Sequence, residues 1–275
     1  MEEKILPHRA MNWKILILLL PFSFFILSFL LLPLVAMVID SFMKDDGQTF
    51  SLEQYATIFS NKFYTLALKN SVVISLFSSV IGILVAIFAA YSITRLSTQV
   101  QERILMFTNM TSNFAGVPLA FAYIILLGNN GLFTILAHDL GWEIFASFDL
   151  YSWAGLVLVY IYFQVPLAIM LLYPTYFGIQ AQWKEAAYLL GASKIQFWFR
   201  IGIPIILPGI AGTFSILFAN AMGAYATAYA LVGSNYNLLA IRIGSLVSGD
   251  VMTRPQLGAA VSGSTGAHYD TCDVV

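Results

Sequence analysis

Long apolar runs separated by short polar ones set the plan of this chain. A hydrocarbon layer about 30 Å thick needs roughly 20 apolar residues of helix to cross it. Stretches at about 15–39, 66–93, 104–127, 151–173 and 203–232 meet that requirement. The pattern predicts an all-α polytopic membrane protein with five spans. Composition agrees: 59% of residues are hydrophobic and 10% charged, against about 25% charged in an ordinary globular chain. Lys4, Arg9 and Lys14 before the first stretch imitate a secretion signal. That stretch is too long for one, contains Pro21 and Pro33 and lacks a small-x-small cleavage site, so it reads as an uncleaved anchor.

The basic residues orient the spans. Lys4, Arg9 and Lys14 precede the first, Arg95 and Arg103 lie between the second and third, and Lys184, Lys194 and Arg200 lie between the fourth and fifth. The 128–150 region carries Asp139, Glu143 and Asp149 with no Lys or Arg, and the 40–66 region is mixed. The bias of Lys and Arg towards cytoplasmic loops therefore puts the N-terminus and the 174–202 region in the cytoplasm. The predicted location is a membrane that the chain crosses several times, with the N-terminus on the cytoplasmic side.

One polar interruption has internal order. Lys184 to Leu190 consists of good helix formers. Gly191 can take the left-handed conformation that ends a helix, and Ser193 with Gln196 forms a capping-box pattern that starts another. Pro204 and Pro208 follow where a span begins. The stretch predicts a helix–Gly–helix elbow at a membrane surface, an arrangement suited to docking. Leu189 and Leu190 offer apolar contact, and the small Ala186 and Ala187 permit close approach.

Glu185, Ala186, Ala187, Gly191, Ala192 and Pro204 resemble, in type and spacing, the EAA loop of ABC-importer permeases, the membrane subunits of binding-protein-dependent uptake systems. The resemblance covers the helical segments to about residue 260. It implies the type I, MetI-like permease fold, with a coupling helix in loop 181–203 that fits a groove on a separate ATPase subunit. It also implies an ABC ATPase dimer, a second permease subunit, identical or homologous, and a periplasmic or lipid-anchored solute-binding protein. The chain has no GxxxxGK[ST] phosphate loop, so any ATP would be used by the partner, and no cofactor is expected on this chain. It is expected to be a transport subunit and not an enzyme.

Other chemistry is sparse. The net charge of −1 offers nothing to nucleic acid, and Cys272 is the single cysteine. His8, His138 and His268 have no metal-ligand spacing. Glu143 and Asp149 have no partners that would make a catalytic set. The polar residues within the apolar runs are uncharged. Asn109, Asn113, Gln164, Asn220 and Tyr225 are candidates for a translocation path, and inter-helix hydrogen bonding is an equally open role, worth about 0.6–2 kcal/mol per contact. Ser215, Ala219 and Gly223 form a small-residue ladder suited to a close helix contact. Pro118 and Pro166 mark kinks or breaks.

The C-terminal end departs from the family pattern, which would place a sixth span after about Pro255. Residues 256–261 begin like one, but 262–275 bring His268, Asp270 and Asp273, and a central Asp costs about 2.5–3.5 kcal/mol. The expectation is five spans, the sixth lost or altered by truncation or a frame shift. The chain then divides into a cytoplasmic N-terminus (1–14), a permease domain (15–260) and a polar tail (261–275).

The 219–240 stretch, with Ala224, Tyr225, Ala226, Thr227, Ala228 and Tyr229, looks like permeases grouped with spermidine/putrescine uptake. A polyamine is the favoured solute. Aminoethylphosphonate or ferric iron are alternatives within that grouping. A secondary transporter without an ATPase, or a membrane assembly factor, are the rivals outside it.

Overall fold

The computed structural model describes residues 13–44, 49–142, 147–248 and 255–270. Glu143, His8, Cys272 and most of the 1–14 segment lie outside the described residues. Among those described there is no strand; a single antiparallel bridge joins Met43 and Phe50.

Among the described residues, five helical stretches are long and apolar enough to cross a membrane: Leu19–Ser41, Lys62–Ile93, Val117–Asp139, Trp153–Gly178 and Lys194–Met222. The first comprises α1 (Trp13–Ile26) and α2 (Leu32–Ser41), joined by a π-turn at Leu27–Leu31. It stands apart from the bundle, with Phe22, Phe24, Phe25 and Phe29 exposed. Among the described residues, α2 meets α14 (Pro255–Asp270).

The centre of the bundle is α4 (Lys62–Ile93) against α8 (Trp153–Leu172). Their contact face on α4 is small residues: Ser71, Ser75, Ser78, Ser79, Gly82, Ala86 and Ala90 are all part of it or buried beside it. Lipid tails are as apolar as Leu, so close packing between small residues is what holds such helices together. A Cβ on Gly82 would stand 3.4 Å from that of Gln164. Short α3 (Glu53–Ser60) precedes α4 and packs on α14.

Two predicted spans are broken. The 104–127 run is not one helix but α5 (Thr98–Ser112) and α6 (Val117–Leu127), followed by α7 (Leu132–Asp139). Gly116 has φ 77 and ψ −147, which a side chain would resist, and Pro118 lacks the N–H that a continuing helix needs. The 203–232 run divides into α11 (Ile203–Met222) and α12 (Tyr225–Val232), parted at 223–224. Pro166, by contrast, lies inside the unbroken α8.

Beyond α12, the amphipathic α13 (Leu239–Ser248) leads to α14. Leu257, Ala260 and Val261 are fully buried against Ile58, Ala67 and Leu239. The helix continues to Asp270 for 16 residues, roughly 24 Å at 1.5 Å per residue.

Candidate functional site

The elbow is built from bonds within a dozen residues. Helix α9 (Ala181–Leu189) ends as Leu190 N–H donates to the Ala186 carbonyl at 3.1 Å. Gly191 N–H then donates to Tyr188 O and Ala192 N–H to Ala187 O, both at 3.0 Å. This paired return is the Schellman end, which requires a left-handed residue, and Gly191 has φ 81. Helix α10 (Lys194–Phe197) starts immediately: Gln196 N–H donates to Ser193 Oγ (3.2 Å), and Ser193 N–H donates to Gln196 Oε1 (2.9 Å).

Aromatic contacts hold the two helices together and anchor them to the bundle. Tyr188 meets Phe197 edge-on at 6.2 Å. Phe197 is 1% exposed and Ala187 is buried. Trp198 continues the anchor against Tyr91, 5.1 Å away. A π-turn, Trp198–Gly202, joins α10 to α11, where Pro204 stands in the first turn.

The outer side of the elbow is apolar and uncovered. Leu189 and Leu190 are each 88% exposed, and Ile195 is 71% exposed. Single exposed leucines need no explanation, but adjacent ones at the tip of an ordered turn form a patch that a partner could cover. Burying a Leu side chain is worth about 1.5–3 kcal/mol. Glu185 and Ala186 lie exposed on α9, and Ala192 is half-buried at the turn.

A second region lies where the two broken helices meet. Gly116 N–H, at the first break, donates to Thr227 Oγ1 at 2.9 Å. Ala224 O, at the second, accepts from the Tyr160 hydroxyl at 3.4 Å. Phe114 and Tyr123 both stand edge-on to Tyr162, at 6.4 and 5.8 Å. Tyr162 is the tenth of the 20 residues of α8, so the breaks meet at mid-length of that helix. Irregular backbone at such depth is tolerated where protein buries it or where it lines a cavity.

The five path candidates divide around this junction. Asn109 and Asn113 are exposed at the end of α5 and bonded to each other, Asn113 Nδ2 donating to Asn109 O (2.8 Å) and Oδ1 (3.3 Å). Asn220 is exposed on α11. Tyr225 starts α12 and stacks on Tyr229, centroids 5.4 Å apart. Gln164 goes elsewhere. It is completely buried between α4 and α8, its Nε2 donating to Ser78 Oγ at 2.8 Å, so it serves helix–helix bonding. The Oε1 of Gln164 and the hydroxyls of Ser75 and Ser79 are buried without a partner. The ladder of Ser215, Ala219 and Gly223 faces away from the bundle, Ala219 and Gly223 being exposed.

Sequence reasoning missed a network around Arg242. Its guanidinium lies 4.6 Å over the Phe63 ring, with Nε donating to Asn237 Oδ1 (2.7 Å) and Nη2 to Ser234 O (3.2 Å). Asn237 Nδ2 donates to Phe63 O (2.8 Å), and Leu239 N–H donates to Ser71 Oγ (2.8 Å). Burial pulls the Arg242 guanidinium below its ordinary value, opposed by Tyr64. The network ties the loop after α12 to the start of α4. The Asn237–Arg242 spacing was visible in the sequence, but the partners lie more than 160 residues away.

Comparisons with known proteins give concordant results. The family model described as "Binding-protein-dependent transport system inner membrane component" matches residues 82–262, about two-thirds of the chain. The spermidine/putrescine transport system permease protein PotC of Haemophilus influenzae is 25% identical over 232 residues, covering 82% of this chain and 83% of that one. The ferric transport system permease protein FbpB of Actinobacillus pleuropneumoniae is 24% identical over 237 residues, covering 84% of this chain. The chain spans 33% of that relative's length. Among solved structures, a bacterial ABC transporter involved in import of the acidic polysaccharide alginate superposes with a TM-score of 0.70. Its identity is 18%, with 95% of this chain and 92% of that chain covered. At that identity the likeness establishes the fold, the one expected for a type I importer permease.

Proposed function

This chain belongs to the family of binding-protein-dependent transport system inner membrane components, and on that premise we propose that it is the permease subunit of an ATP-driven importer for a small charged solute. The carrying observation is the elbow: an ordered, aromatic-anchored turn that holds Leu189 and Leu190 almost fully exposed. In this reading the apolar tip, with Glu185, Ala186, Ala187, Gly191 and Ala192, seats on a separate ABC ATPase dimer. Pro204 and the π-turn pass the displacement to α11. A stiff connection suits the task, because alternating access is largely rigid-body rocking.

The solute path runs along the junction of the broken helices. Discontinuous helices near the middle of the membrane expose backbone groups that ligands can use. Asn109, Asn113, Asn220 and Tyr225 line it, and Gln164 supports it from behind. A second permease subunit completes the path, and an extracytoplasmic binding protein delivers the solute. The N-terminus and the elbow face the cytoplasm, as the basic residues indicate, in a bacterial inner membrane.

A polyamine such as putrescine or spermidine is the favoured cargo, on the likeness of 219–240. The relatives described above bear polyamine and ferric names, so the family alone does not choose. Vesicle uptake tests both levels. Labelled putrescine should accumulate only with ATP, the ATPase and the binding protein all present. An ATPase subunit that fails to copurify with the chain overturns the coupling role; uptake without ATP overturns the importer.

A further inference from the structure

Beneath the elbow lies a cleft whose chemistry the transport reading leaves unused. Its floor is aromatic: Tyr91 packs against Tyr176 at 5.9 Å and against Trp198 at 5.1 Å. The Tyr176 hydroxyl is committed to Ile87 O at 2.7 Å, so the floor is fixed. The rim is polar and basic: Thr94, Arg95, Gln180 and Lys184. Arg95 lies 4.8 Å over the Tyr91 ring and donates to its hydroxyl, leaving most of its five N–H donors available. Lys184 is half-buried, 5.9 Å from the Tyr188 ring.

Among the described residues neither cation forms an ion pair with a carboxylate. The ion pair among the described residues is Lys44–Glu53, at 3.3 Å. Two cations on the rim of one cleft give it a positive potential, and an anion bound there meets both. The cleft also sits at membrane-interface level. Arg95 follows directly on the span Lys62–Ile93, and Lys184 precedes the span Lys194–Met222. Phe177 and Phe199, next in sequence to the lining residues Tyr176 and Trp198, are 62% and 70% exposed, apolar side chains near a basic rim.

We propose that this cleft binds a phosphate group, supplied by the headgroup of an anionic phospholipid whose tails lie along Phe177 and Phe199. Arg and Lys together suit phosphate, the guanidinium by its fork and the ammonium as a point charge. Basic pockets between membrane helices take such headgroups. The bound lipid bridges α4 to the elbow and makes the elbow's position sensitive to leaflet composition.

The test uses the full chain in neutral detergent, with no ATPase and no solute, so its outcome is separate from that of the transport proposal. Retained lipid is measured by native mass spectrometry after exposure to phosphatidylglycerol or phosphatidylcholine. Phosphatidylglycerol should be retained at least about fivefold better, and Arg95→Gln or Lys184→Gln should each lower retention about fivefold. Arg103→Gln, a basic change on the same side outside the cleft, should leave it unaltered. Arg95→Lys keeps the charge and should retain most binding, which covers the case of a poorly folding Gln variant. Inorganic phosphate that binds and displaces the lipid assigns the same site to the free ion. Equal retention of the two lipids with no phosphate binding overturns the proposal, as expected if the cleft is kept for a partner's carboxylate. So does an Arg103→Gln effect as large as the rim variants'.

Discussion

The elbow and the helix-break junction are both interruptions of helix, yet they are held in opposite ways. At the elbow every defining bond spans five residues or fewer: Ala192 to Ala187, Gly191 to Tyr188, Gln196 to Ser193. At the junction the defining bond joins Gly116 to Thr227, 111 positions apart. The elbow's capping bonds lie within the elbow itself, and it presents its apolar tip outward. The junction exists only while α6 and α12 stay together. A part that transmits force should be stiff by itself, and a part that opens and closes should depend on contacts between bodies. The two constructions match the two roles proposed for them.

The sharpest break of that comparison removes the partner surface without touching the elbow's bonds. Leu189→Asp with Leu190→Asp should lower affinity for the ATPase subunit at least thirtyfold, about 2 kcal/mol. The thermal unfolding midpoint of the isolated chain should not change, because both side chains are 88% exposed. A fall in midpoint as large as the loss of binding would mean that the leucines serve the fold and not a partner.

Glycine exchanges then separate the two interruptions by backbone alone. Nothing lies within 4 Å of a Cβ on Gly191, so substitution there tests conformation and not space. Gly191→Val should strain the turn by about 1–2 kcal/mol and reduce ATP-driven uptake roughly tenfold. Gly191→Asn should stay near wild type, since Asn tolerates the left-handed region. Gly116→Asn should not be rescued in this way, because φ 77 with ψ −147 lies in a region open essentially to Gly. Equal behaviour of the two Asn variants in uptake would erase the distinction.

What could be read in advance follows the same division. Gly191, Ser193 and Gln196 announced the elbow, because caps are local chemistry written in adjacent residues. The apolar runs announced five spans, since burial in lipid is a property of each segment. The breaks at 113–116 and 223–224 fall inside runs long enough to read as single spans, the first of them interrupted by Asn109, Thr111, Ser112 and Asn113. Pro118 marked the first, but the partner that makes the break tolerable lies in another helix. Gln164 kept two roles open for a related reason: a polar residue in an apolar run says that it needs a partner, not where the partner is. The Arg242 network is the extreme case, with its loop and helix α4 joined over more than 160 residues.

The junction's own bond gives the next effect. Thr227 is 3% exposed, and Thr227→Val keeps its shape while removing the acceptor for Gly116 N–H. An orphaned N–H there should cost about 1–2 kcal/mol, read as a lower thermal midpoint in detergent. Thr227→Ser should restore most of it, because the hydroxyl returns. A Val variant as stable as wild type would mean that water satisfies Gly116, and the junction would then be a hydrated gap and not a packed contact.

The smallest effect should come from the elbow. Ser193→Ala removes the side chain that receives the Gln196 N–H, and a lost N-cap costs about 0.5–1 kcal/mol in an exposed setting. Both partners are exposed, so water replaces the bond at little penalty, and Phe197 still anchors α10 in the bundle. Global stability should therefore fall by less than in Thr227→Val. Local order should fall more, seen as faster amide hydrogen exchange confined to α10 and the Gly191 turn. If exchange instead rises along α11 as well, the elbow is not stiff by itself. It would then depend on the bundle as the junction does, and the contrast between a self-contained lever and a contact-dependent gate would fail at its first member.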